Sequence, residues 1–176
     1  MFAKRLLAIA LGLSLPACGF ALGVRLLDHD AFATARGDAF VATADNPSAI
    51  YYNPAGITQL EGHHARGALN ILTVDAQFDS KTAGNISTRD QFLPLPGFFY
   101  TYSPTNSPIS LGFGYYMPFG FSMDWPKNGP FRTNTTHGEL QYHTVNPIIA
   151  WQVTKTLSIA AGPTLNYAYT DLRRGI

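Results

Sequence analysis

The sequence predicts an all-β fold. It is a transmembrane antiparallel β-barrel, of which this chain carries about five strands, behind an N-terminal segment with only short helices. Three observations lead there. From His64 onward, long runs alternate apolar and polar residues, the period of a strand with two unlike faces. Each run is about ten residues or longer, which suits a tilted membrane-crossing strand; strands of soluble sandwiches run to about five or six. The connections alternate between short and long, as in barrels with tight periplasmic turns and longer outer loops.

The first strand is expected at 64–78, the second at 91–102, the third at 109–125, the fourth at 138–153 and the fifth at 156–172. The third alternates most cleanly. Ile109 and every second residue to Met123 form an apolar face for lipid, while Ser110 to Asp124 form a small and polar face for a lumen. In the fifth, Leu157, Ile159, Leu165 and Tyr167 oppose Ser158, Gly162, Thr164 and Asn166. Tyr100, Tyr102, Trp125, Trp151 and Tyr169 near strand ends would form aromatic girdles. Ser103–Pro108 and Thr154–Lys155 read as periplasmic turns, and Asp79–Asp90 and Pro126–His137 as outer loops.

Composition agrees. Charged residues are 13%, about half the usual share of a soluble domain. The formal net charge of +1 gives no reason to expect nucleic acid as a partner. The single cysteine, Cys18, excludes an intrachain disulfide.

Lys4 and Arg5 precede the apolar stretch Leu6–Leu15. That is too short to cross a bilayer, which needs roughly twenty residues, and it fits a secretory signal. A cut after Ala21 places Gly19 and Ala21 at the small-residue positions; a cut after Ala17 is the alternative. Leu15-Pro16-Ala17-Cys18 also reads as a lipoprotein box with Cys18 acylated.

Residues 24–62 lack the alternation. Their centre is Asp45–Thr58, with two Asn-Pro pairs, Asn46-Pro47 and Asn53-Pro54. Proline fixes its own φ and moves the preceding residue out of the helical region, and Asn supports turns. The stretch is therefore a stiff, doubly turned element with room for one short helix, either a surface loop or a plug. Between a signal peptide and a run of strands, Asn53-Pro54-Ala55 with Ile57-Thr58 resembles the hatch of the FadL/OMPP1/TodX family of outer-membrane channels for hydrophobic compounds. The resemblance extends from Gly19 to the end of the chain, over the first part of such a protein. It implies a signal peptide at 1–21, a hatch at 22–63 inside the barrel, and the first strands of a truncated barrel at 64–176.

Pro118 lies within the third strand, where it cannot donate to a ladder and marks an edge or bulge. Phe119 and Gly120 follow, and together the three predict a kink. The kink is either a harmless bulge or, as the resemblance implies, a sideways exit for an apolar ligand into the membrane. Arg173 and Arg174 read as interfacial cations or as partners for a ligand carboxylate. His63, His64, His137 and His143 have no metal-ligand spacing, and no nucleophile or acid–base motif points to catalysis. No cofactor is expected.

The expected function is passive uptake of long-chain fatty acids or other hydrophobic compounds, such as aromatic hydrocarbons, through a plugged barrel in the bacterial outer membrane. Its partners would be those molecules and outer-membrane lipid, and the complete barrel would be a monomer. The alternatives are a structural or adhesive barrel, a general porin, or an acylated periplasmic β protein.

Overall fold

The computed structural model describes residues 25–81 and 84–175. The expected signal peptide, with Cys18, lies outside them. The described strands are β1 (Gly62–Thr73), β2 (Gln77–Ser80), β3 (Gly84–Ser87), β4 (Phe92–Ser103), β5 (Ile109–Asp124), β6 (His137–Thr154), β7 (Leu157–Ala161) and β8 (Leu165–Arg173). They form an open antiparallel sheet in the order β1-β4-β5-β6, with β7 and β8 both on the far side of β6. The tight turns at Pro104–Pro108 and Thr154–Leu157 stand where the alternation places them. Asn106 takes φ of 63° in the first, a conformation Asn tolerates.

Two elements differ from the expected strands. The first strand ends at Thr73, and Gln77–Ser80 instead pairs with Gly84–Ser87 in a separate hairpin. Gly84, with φ of 73°, supplies a left-handed turn residue. Phe78 leaves the wall to pack on Phe131 of the next long loop, at 5.0 Å between ring centroids. The fifth strand is broken at Gly162–Thr164 into β7 and β8. Pro163 has no N–H for the ladder, and Pro147 stands on the facing stretch of β6. The Asn146 side chain fills the break by donating to Pro163 O at 2.9 Å.

The N-terminal segment lies against one face of the sheet, the inner face. It folds into single turns: α1 (Ala31–Thr34), α2 (Phe40–Thr43), α3 (Ala49–Tyr52) and a 3-10 helix at Pro54–Gln59. Left-handed residues at Gly37, Asp38 and Ala44 and the two Asn-Pro pairs stop each turn from growing. No helix among the described residues is long and apolar enough to cross a membrane; the strands are a separate matter. The core lies between segment and sheet, where Phe40, Ile50 and Ile57 pack with Phe99, Tyr116, Ile148 and Ala150. The opposite face exposes Leu69, Ile71, Phe98, Leu111, Phe113, Ile149, Trp151, Leu165 and Tyr167. An apolar face of that extent suits a hydrocarbon solvent.

Candidate functional site

The Asn-Pro-Ala stretch joins the N-terminal turns to the wall. Asn53 ends α3, its N–H donating to Ala49 O at 2.8 Å, and its side chain donates to Val41 O at 3.1 Å. Pro54 opens the 3-10 helix at its first position, where a missing N–H costs nothing. Gly56 then passes so close to Ala44 that an added Cβ would meet the Ala44 Cβ and carbonyl oxygen. This crossing aims Ile50 and Ile57 at β5. Both side chains fill the space left by Gly112, where a Cβ would lie 3.0 Å from Ile50 and 3.1 Å from Ile57. At Gly114 it would lie 2.8 Å from Ile50. Ser103 Oγ donates to Ile57 O at 3.2 Å, and the Thr58 and Ser158 hydroxyls meet at 2.9 Å.

A second tether is polar. Asp30, 1% exposed, accepts from Arg66 of β1 at 2.6 Å, Ser48 Oγ at 2.6 Å, Asn46 Nδ2 at 3.1 Å and the Phe32 N–H at 3.1 Å. Burial pushes the carboxyl up, but the hydrogen bonds from Arg66, Ser48 and Phe32 outweigh it and hold it below the usual carboxylate range. Its neighbour His29 is 2% exposed and stacks edge-on against Tyr51, centroids 4.2 Å apart. Burial, aided by the charge on Arg25, drives its imidazole down to about 4. The ring is therefore neutral near pH 7. The Tyr51 and Tyr52 hydroxyls donate to Leu26 O and Leu27 O, each at 2.6 Å.

The wall is interrupted beside these tethers. β4 and β5 pair from Tyr102↔Leu111 to Phe98↔Tyr115. Past Tyr115 no backbone bond among the described residues joins the two strands until Arg89 N–H donates to Asp124 O at 2.8 Å. Residues on both strands cause this. On β5, Met117 and Pro118 together face His143, an extra residue between Tyr116↔Thr144 and Phe119↔Tyr142. Such a bulge bends its strand and raises the local twist. On β4, Pro94 and Pro96 lack N–H groups on one edge. Because the ladder to β1 runs unbroken through both, that edge looks toward β5. The sequence reading placed the kink at Pro118–Gly120 and missed this second cause, although Leu93-Pro94-Leu95-Pro96-Gly97 was legible as a poor strand edge.

The bulge also reverses the expected faces. Beyond it, Phe119 and Phe121 pair with Tyr142 and Leu140, which alternate in phase with the inner-facing Thr144, Asn146 and Ile148. Phe119, Phe121 and Met123 thus leave the lipid-facing set that holds Phe113. Glu139, Gln141 and His143 of β6 alternate in phase with the outward Ile149 and Trp151. Gly120 faces Leu93 and Leu95, with a Cβ position 3.1 and 3.0 Å from their methyls. These leucines and Met117 are buried and close the gap, with Leu26 and Leu72 packed against them. Leu26 N–H donates to Pro118 O at 2.8 Å, so the N-terminal segment bonds to the edge of β5 that β4 has left. Pro118 and Phe119 line a cavity of about 210 Å³ with Arg25, Tyr116, Tyr142 and Thr144.

Arg173 and Arg174 lie elsewhere. Arg173 is held by Asp171 and pairs with His137, in phase with the outward face. Both arginines line a separate cavity at the long-loop end. His63 stacks on Tyr102, centroids 4.2 Å apart, and bonds the Tyr100 hydroxyl at 2.6 Å. Among the described residues no group of three His, Cys, Asp or Glu is placed to hold a metal ion.

Residues 14–176 match the family of outer membrane protein transport proteins (OMPP1/FadL/TodX). A relative in Neisseria meningitidis serogroup B (strain ATCC BAA-335 / MC58), described as "Putative outer membrane protein NMB0088", is 25% identical over 130 residues, 69% of this chain and 27% of that protein. The crystal structure of a Pseudomonas aeruginosa FadL homologue superposes with a TM-score of 0.66 at 16% identity, over 86% of this chain and 39% of that one. The chain thus spans less than half the length of either. Its match to the family runs through the Asn53-Pro54-Ala55 segment and every strand described above, so the chain belongs to the OMPP1/FadL/TodX family of outer-membrane transport proteins, and its strands cross that membrane as part of a β-barrel wall.

Proposed function

We propose that this chain serves passive uptake of hydrophobic compounds, with residues 22–63 as a hatch and the gap between β4 and β5 as a sideways exit into the membrane. The observation that carries the reading is the loss of backbone pairing between the strands past Phe98↔Tyr115. A continuous ladder has no passage through it. Among the described residues the gap is closed by the side chains of Leu93, Leu95 and Met117, with Leu26 and Leu72 packed against them, and by one backbone bond from Leu26 N–H to Pro118 O; side chains change rotamer far more easily than a ladder opens. For an apolar solute the route is downhill, because each CH₂ moved from water to hydrocarbon gains roughly 0.8 kcal/mol.

The cavity behind Pro118 supports a long-chain fatty acid over a neutral hydrocarbon. Its lining combines Tyr116, Phe119 and Tyr142 with Arg25, so an alkyl chain finds aromatic walls and a carboxylate finds a guanidinium.

The test replaces Pro118 and Gly120 by Val together in the chromosomal copy. Valine restores a donor and a wall-filling side chain. Uptake of radiolabelled oleate should fall while the outer-membrane level of the protein holds. Unchanged uptake at equal protein level refutes the sideways exit. Liposome swelling separates this reading from a general porin, since rapid entry of small sugars through the wild-type protein contradicts a hatch.

A further inference from the structure

The outward face of the sheet changes character along β6. Pro147, Ile149, Trp151 and Val153 are exposed, and the stretch from Val145 to Val153 matches the roughly 9–11 residues that cross a bilayer. The next rungs toward the long loops are aromatic, with His143 opposite Tyr167 and Gln141 opposite Tyr169. Tyr115 OH meets His143 Nδ1 at 2.8 Å. The following rungs are charged, Glu139 opposite Asp171 and His137 opposite Arg173. Apolar, then aromatic, then charged is the order in which a strand leaves hydrocarbon for the headgroup layer.

A cavity of about 450 Å³ opens at that charged level, lined among the described residues by Arg89, Lys127, His137, Arg173, Arg174 and one carboxylate, Asp124. Arg89 is paired with Asp124 at 3.5 Å, and Arg173 with Asp171. Lys127 and Arg174 make no ion pair with any described residue. Two cations are therefore left over in one concave site, beyond the apolar belt and on its lipid side. Asp124 pairs with His137 and His137 with Arg173, which sets their side chains on the outward face. On the adjacent rung, Met123 and Leu172 flank Gly138 in phase with the inner face.

We propose that this cavity binds the phosphate of a phosphorylated lipid of the outer leaflet, with Lys127 and Arg174 as its principal cationic partners. Arg and Lys together suit a phosphate, which takes several charge-assisted donors at once. The site rests on the outward orientation of the long loops; it lies at the far end of the gap, where Arg89 N–H bonds to Asp124 O, and binding there does not require the gap to open.

The purified chain in detergent is titrated with bisphosphorylated lipid A, dephosphorylated lipid A, inorganic phosphate and laurate, and bound molecules are counted by native mass spectrometry. Bisphosphorylated lipid A should bind, and loss of either its phosphates or both cations (Lys127→Gln with Arg174→Gln) should weaken it about tenfold or more. The charge-keeping pair Lys127→Arg with Arg174→Lys should bind it within a few-fold of wild type. Equal binding of the two lipid A forms, or full binding by the Gln pair, overturns the proposal. Inorganic phosphate held as tightly as lipid A makes the cavity a free-anion site and overturns the lipid assignment. Laurate lost from the Gln pair while lipid A is kept makes it a substrate-carboxylate site and overturns it likewise.

Discussion

Asp30→Asn keeps the shape of the polar tether and removes its charge. Arg66 then loses a carboxylate, and the amide NH₂ faces donors from Ser48 and Asn46. Removing one partner of a buried ion pair costs about 3–5 kcal/mol. Here the Arg66 side chain is 33% exposed against 2% for Asp30, so screening brings the figure to about 2 kcal/mol. That free energy separates the docked N-terminal segment from a loosened one, because Arg66 is on the wall and Asp30 on the segment. A shift of about 2 kcal/mol multiplies the loosened population about 30-fold. Hydrogen exchange read by mass spectrometry measures this directly. Peptides covering α1 and α2 should exchange about 30-fold faster, while peptides of β6 between Thr144 and Trp151 keep their rates. Equal acceleration in both regions would show that Asp30 supports the whole wall. No change in either would show that the node holds nothing.

His29 and Asp30 give two separable acid responses. The folded imidazole titrates at about 4 against an ordinary 6.5, so the loosened state binds more protons between those values. Docking therefore weakens as pH falls from about 6.5 to 4, by about 3 kcal/mol in full. Asp30, depressed when folded, keeps its contribution until pH falls through the ordinary carboxylate value of about 3.9 and below. In His29→Phe, exchange of the segment, corrected for intrinsic rate, should be flat from pH 7 to about 4.5; a slope as steep as wild type would remove His29 as the cause. Gly56→Ala forces a methyl onto Ala44 and should cost about 1–3 kcal/mol, seen as faster proteolysis near Asn53-Pro54-Ala55. Wild-type resistance there would mean that the crossing can widen freely.

The strands were legible because a wall with lipid on one side and a packed interior on the other imposes period two over a long run. Ile109–Tyr116 shows it, and the outward Leu111 and Phe113 and inward Gly112 and Gly114 stand where alternation puts them. The tightly turned segment at Asp45–Thr58 was legible because Asn-Pro pairs act locally, on φ and ψ of adjacent residues. Pro118 was legible as an interruption for the same reason.

The sequence could not show the consequence of that interruption. One inserted residue changes which face every later side chain occupies, and only the partner strand reveals the insertion. Phe119 and Phe121 turned inward for that reason. The break at Gly162–Thr164 depends on Pro147 standing opposite, and the gap on two prolines of β4 meeting the bulge of β5. The glycines of β5 read as small lumen residues, yet their role is set by Ile50 and Ile57, some sixty residues earlier in the chain. Alternation and turn chemistry follow from neighbours in sequence, so the sequence alone determined the membrane wall, its long strands and the tight turns of the N-terminal segment. Register, face and the company a charge keeps follow from neighbours in space. Only the tertiary structure could therefore gather Lys127 and Arg174 into one cavity and part β4 from β5 past Phe98↔Tyr115.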